Sequence, residues 1–126
     1  MPVTATKDTS TLPQTLQRCL IALDQKKAES LRLIDVGEVS SITDYLLIAT
    51  GTSNPHLKAL GKVVEEELDK LGQEAQVTGS GDQSGWVVID AFDFMVHIFT
   101  GETREFFNLE GLWRDGESID IEGYLT

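Results

Sequence analysis

The chain has 126 residues, enough for one domain whose core needs no covalent staples. Its formal net charge is −11, and the single cysteine, Cys19, excludes an internal disulfide framework and a cysteine-based zinc cluster. No apolar run is long enough to span a bilayer and no signal-peptide core follows Met1, so a cytoplasmic protein with no membrane association is expected.

Residues 1–11 are polar and rich in threonine, and read as a disordered N-terminal tail. From Leu12 to about Ala28 the spacing of Leu12, Leu16, Cys19, Leu20 and Leu23 predicts an amphipathic helix, with Pro13 tolerated in its first turn. Leu31–Val36 reads as a first strand. Asp44–Thr50 reads as a second, and its near-continuous apolar run predicts burial on both faces. Ser53 or Asn54 can cap a second helix with Pro55 in its first turn. That helix carries Leu57, Leu60, Val64, Leu68 and Leu71 at helical spacing and stops at Gly72.

A short strand near Gln73–Thr78 is followed by the loop Gly79–Gly85, and then Trp86–Ala91 and Phe94–Phe99 form a hairpin. Glu102–Trp113 predicts one or two helical turns, with Trp113 pinning the tail to the sheet. Residues 116–126 form a C-terminal arm, docked or loose. With no repeat and no internal linker, residues 12–115 make one α/β domain: a mixed sheet of about five strands with helices mainly on one face.

The charge is unevenly placed. Residues 1–73 hold ten acidic and eight basic residues, whereas residues 74–126 hold eleven acidic residues against only Arg104 and Arg114. Such a surface repels phosphate, which disfavours nucleic acid as the direct ligand, and it attracts a basic protein. Acidic faces also simply keep a protein in solution.

In the hairpin, alternate residues point to opposite sides. Val87, Ile89 and Ala91 form the purely apolar set and are expected to face the helices. Trp86, Val88 and Asp90 share the other side. If Asp90 pairs with Asp93, then Trp86 lies opposite His97 and Val88 opposite Met95. The result is an aromatic and apolar patch with an acidic rim, the composition of a protein-binding site. Trp86 can be its anchor or can pack as core under the terminal arm, and the residues alone leave both open.

Cys19, on the apolar face of the first helix, is expected to be a small core residue. His97 has no second ligand or base at a useful spacing. Thr50-Gly51-Thr52-Ser53 ahead of a helix is explained as well by a cap and turn as by an anion site.

Three segments in order carry a resemblance: Thr43-Asp44-Tyr45 running to Ala49-Thr50-Gly51, then Trp86–Asp90, then His97–Phe99 with Glu102–Trp113. Together they resemble the ribosomal silencing factor (RsfS, or Iojap-like) family, with its T-D-Y, W-V-L-L-D, H-V-F and E-x-R-x-F-Y-x-L-E-x-L-W elements. Where that family has D-Y-G-D, this chain has Asp90-Ala91-Phe92-Asp93, and Phe92 in place of glycine disfavours a tight two-residue turn.

The resemblance implies a nucleotidyltransferase-like fold and no enzymatic role or cofactor. It implies binding to the large ribosomal subunit through a basic ribosomal protein on the intersubunit face. Joining of the small subunit is then blocked sterically, which represses translation in starvation, and the free protein forms a weak homodimer. Partner-binding residues are expected at Trp86, Val88, Asp90, Met95 and His97, with Thr43, Asp44 and Tyr45 from the T-D-Y motif. The alternative is a metal-dependent nucleotide-handling enzyme on the same fold. It would require paired carboxylates after Gly79-Ser80, and the available pairs, Asp90 with Asp93 and Asp120 with Glu122, are poorly placed for that.

Overall fold

The computed structural model describes residues 12–79 and 84–125. The N-terminal residues 1–11, and Ser80 with most of its loop, lie outside the described residues. The chain opens with α1 (Gln14–Gln25), β1 (Glu29–Asp35), β2 (Tyr45–Gly51), α2 (Asn54–Lys70) and β3 (Gln76–Thr78). It continues with β4 (Trp86–Asp90), β5 (Phe94–Thr100), the short helices α3 (Gly101–Phe107) and α4 (Leu109–Leu112), β6 (Glu117–Ile119) and α5 (Glu122–Leu125).

The helix ends follow from local chemistry. Ser53 caps α2 by accepting the His56 amide, and Pro55 stands in the first turn, where its missing N–H costs nothing. The helix closes at Gly72, whose φ of +70° lets the Gln73 amide return to the Leu68 carbonyl. At the end of α1 the same closure is made with Lys27 at φ +70°, and the Ala28 amide returns to Leu23.

The strands form one sheet in the order β3-β4-β5-β2-β1-β6, with β2 and β5 parallel and every other pair antiparallel. It has six strands among the described residues, one more than expected. The sixth is the arm: β6 pairs Leu33 with Ile119 and Asp35 with Glu117. Against one face lie α1 and α2, burying Leu16, Leu20, Leu23, Leu57, Leu60 and Val64 on Leu33, Leu47, Val87, Ile89, Val96 and Ile98. Each such side chain contributes about 1.5–3 kcal/mol of burial. The other face holds a smaller cluster of Ile34, Val36, Leu46, Ile48 and Phe99, covered by Leu109 and Trp113.

The hairpin register differs from the expected one. Asp90 faces Met95, Val88 faces His97 and Trp86 faces Phe99. The offset is two residues. A slip of one would have turned every side chain over, but a slip of two keeps each on its face, so Trp86, Val88, Asp90, Met95 and His97 still share one side.

The turn explains the shift. The Ala91 amide donates to the Phe94 carbonyl, leaving only Phe92 and Asp93 in the loop, and Phe92 takes φ +71° while the Asp93 amide bonds the Ala91 carbonyl. The tight turn therefore forms despite its bulky residue. Three contacts hold it there: Asp90 Oδ1 accepts the Phe92 amide, the Phe92 carbonyl accepts the Thr43 hydroxyl, and the Asp93 carbonyl accepts the Asp44 amide. With the Phe92 side chain 60% exposed, Phe92→Gly removes strain and little burial. It is expected to raise stability by about 1 kcal/mol in urea unfolding. A loss of stability would mean that the positive φ is not strained.

Candidate protein interface

The partner-binding residues expected from sequence do not all reach one place. Val88, Met95 and Trp86 are half-buried on the sheet face opposite α1 and α2, and His97 lies between them, buried. At the β4–β5 turn, the bonds from Thr43 and Asp44 to Phe92 and Asp93 bring the T-D segment to the end of the same strip. Tyr45 does not join it. It packs with Leu47 and Ala49 against the helix-side core, on the other face of the sheet.

Trp86 is an integrated residue. Its ring stacks on Phe99 at 5.2 Å between centroids and meets Phe107 at 4.7 Å. Its indole N–H donates to His97 Nδ1 at 3.1 Å. Because that N–H can only donate, His97 Nδ1 must accept, and the neutral ring carries its proton on Nε2. Burial pushes His97 down from the ordinary 6.5 to about 4.

Between those two values the unfolded chain binds a proton that the folded chain refuses. The contribution of the neutral imidazole to stability is therefore complete above about pH 6.5 and is lost as the pH falls towards 4. An NMR titration of the folded protein should place the His97 midpoint near 4. A midpoint near the ordinary value would contradict this burial.

Trp113 packs on the sheet as expected, and the carboxylates divide between the turn and the open surface. Asp90 is half-buried and caps the turn, its Oδ1 accepting the Phe92 amide, whereas Asp93 and Asp44 are exposed. In the stretch Phe106, Leu109, Leu112 and Trp113, only Leu109 and Trp113 pack on the sheet. Phe106 is 80% exposed and Leu112 73%, and Phe107, which meets Trp86, lies edge-on to Phe106. At the turn end, Ile42 stands out to 71%. Phe106 and Phe107 extend the strip at the Trp86 end and Ile42 at the turn end, and the sequence reading missed them. Bulky apolar residues at the tips of very short elements, which cannot bury every side chain, were the available signal.

A polar network holds the far end in place. Arg104 makes a two-pronged contact with Glu110, Nε to Oε1 at 2.8 Å and Nη2 to Oε2 at 2.9 Å. Its Nη1 reaches the Ser30 carbonyl and the Thr50 hydroxyl. Arg32 adds a second cation on Glu110 and bonds Ser118 in β6. Hydrogen bonding from Arg104 first, aided by Arg32, holds the Glu110 carboxyl down at about 2. One carboxylate thus ties α3 and α4 to β1, β2 and β6. Asn108, at φ +47°, ends α3 and caps α4 through the Gly111 amide.

The cysteine and the second histidine have structural surroundings. Burial pushes the Cys19 thiol up to about 12, away from the reactive thiolate. His56 is held by the Thr52 amide and the Lys26 carbonyl. Among the described residues no group of three His, Cys, Asp or Glu side chains could hold a metal ion, and no helix is long and apolar enough to cross a membrane.

The family model for ribosomal silencing factor during starvation matches residues 9–126. The chain is 32% identical over 111 residues to the ribosomal silencing factor RsfS of Halalkalibacterium halodurans, covering 88% of this chain and 95% of the relative. It is also 32% identical over 95 residues to a Mus musculus protein named for mitochondrial assembly of the ribosomal large subunit, covering 72% of this chain and 41% of that one. Among solved structures, a Chromobacterium violaceum protein aligns with a TM-score of 0.76 at 28% identity, over 79% of this chain and 83% of its own. A Bacillus halodurans protein aligns with a TM-score of 0.73 at 31% identity, over 83% and 95%. With a match over that span and a relative of that identity along nearly its whole length, this chain belongs to the family of ribosomal silencing factors during starvation.

Proposed function

We propose that this protein binds the large ribosomal subunit through a basic ribosomal protein on the intersubunit face, and that its bulk there blocks joining of the small subunit and lowers translation in starvation. The observation that carries the reading is the asymmetry of the sheet. One face is sealed by α1 and α2, while the other leaves Trp86, Val88 and Met95 half-open between the exposed pairs Phe106–Phe107 and Ile42–Phe92. Exposed Asp44 and Asp93 stand at its turn end with Ile42 and Phe92, and exposed Glu102 and Glu105 share α3 with Phe106 and Phe107, so its complement is apolar with a basic rim. The bacterial relative is named as a ribosomal silencing factor and the mouse relative for the ribosomal large subunit, which supports a ribosomal partner. Such a mechanism requires position and affinity, with no chemical step.

Co-sedimentation with separated subunits tests this. The protein is expected to pellet with free large subunits and not with small subunits or assembled ribosomes. Pelleting with small subunits, or with neither, would contradict it. The same strip gives the free protein a surface that needs cover, and it is expected to form a weak symmetric dimer that dissociates on binding. Light scattering over a dilution series checks this, and a monomer at every concentration would exclude the dimer.

A further inference from the structure

A second surface lies at the far edge of the sheet, on the helix side. There β3 pairs only with β4 among the described residues, so the outer side of Gln76–Thr78 is an open edge. Between this edge and the last turns of α2 runs a groove of about 610 Å³. Its floor is apolar, from Leu68 and Val77. Its walls carry four carboxylates, Glu65, Glu66, Asp69 and Glu74, against the single ammonium of Lys62. The carboxylates are on exposed residues, and a Cβ added at Gly72 in the groove would meet nothing within 4 Å. At one end Gln73 bonds the Ala91 carbonyl, tying the groove to the β4–β5 turn.

We propose that this groove docks an extended basic segment of a protein partner, which adds a strand to β3 and lays Lys or Arg side chains against the α2 carboxylates. An open edge supplies backbone donors and acceptors, which bind an extended peptide whatever its side chains. Every second side chain of the added strand points to the helix side, where the aliphatic stem of a lysine can lie on the apolar floor while its cation reaches the acidic wall; the others point to the opposite face. Nucleic acid is excluded by the sign of the wall. A second copy of this chain is disfavoured for the same reason, since edge-to-edge pairing would bring two sets of these carboxylates together. The inference is independent of ribosome binding by the sheet face, and it stands if that face binds nothing.

The test uses the full-length protein labelled with ¹⁵N and a synthetic peptide of alternating lysine and valine. The expected result is chemical-shift change and slowed amide exchange concentrated on Gln76–Thr78 and the end of α2, retained in Trp86→Ala. Glu66→Lys with Asp69→Lys, both on the exposed surface of α2, should weaken the peptide on the order of tenfold while leaving the spectrum folded. A peptide that binds only around Trp86 would overturn the proposal. So would binding spread over all acidic surfaces with no amide protection in β3, a β3-paired dimer that excludes the peptide, or no binding at millimolar peptide.

Discussion

Arg104→Ala is expected to lower the stability of the fold by about 3 kcal/mol, a drop of roughly 10 °C in Tm. The guanidinium is 14% exposed and its partner Glu110 21%, so deletion leaves a largely covered carboxylate facing only Arg32. The Ser30 carbonyl and Thr50 hydroxyl lose a donor at the same time. Incomplete burial places the cost at the low end of the range for broken buried pairs. Arg104→Lys keeps the charge without the fork and should fall between the two.

The pH dependence separates this loss from simple packing. The folded Glu110 sits near 2 against an ordinary 4.5, so its contribution is present above 4.5 and is lost as the pH falls towards 2. In Arg104→Ala that acid-side decline should be much shallower. Urea unfolding at several pH values measures both quantities, and a change under about 1 kcal/mol would show that the network is not holding the α3–α4 corner.

Trp86→Ala is expected to act twice. It removes the centre of the sheet-face strip, and losing an interface anchor costs about 2 kcal/mol or more of binding. It also removes the stacking on Phe99 and Phe107 and the donor to His97, a further cost of about 2 kcal/mol in folding. With the cover gone, the His97 midpoint should rise from about 4 towards 6.5.

Because Trp86 serves both packing and surface, it needs a companion that serves only the surface. Phe106 is 80% exposed, so Phe106→Ala should change stability by less than about 0.5 kcal/mol and still weaken large-subunit binding. If both variants bind normally while folded, the strip is not the interface.

Much of this arrangement was legible in the chain, and the boundary is physical. The face on which Trp86, Val88 and Asp90 lie follows from the alternation of Val87 and Ile89, which fixes parity whatever the turn does. Register is set by the turn itself, and there Phe92 adopts a φ that its side chain disfavours because Thr43, Asp44 and Asp90 hold it. No local pattern announces that. Tyr45 opens a strand buried on both faces, where alternation is absent and a side cannot be assigned.

Apart from Arg104 and Glu110 themselves, six positions apart, the network joins residues 54 to 86 positions apart, so spacing along the chain could not reveal it. The one trace was Arg104 itself, a rare cation in an acidic half. The arm was ambiguous because three residues, Glu117–Ile119, are too few to show a period, and β1 alone decides that they pair.

Subunit joining, followed by light scattering after mixing large and small subunits, tests the central claim most directly. Preincubating large subunits with this protein should suppress the scattering increase as the protein approaches one per subunit, while preincubating small subunits should not. Met95→Lys, which puts a cation on the half-open strip, should restore joining. Undiminished joining with excess protein on the large subunit, or equal suppression from the small-subunit side, would contradict the account.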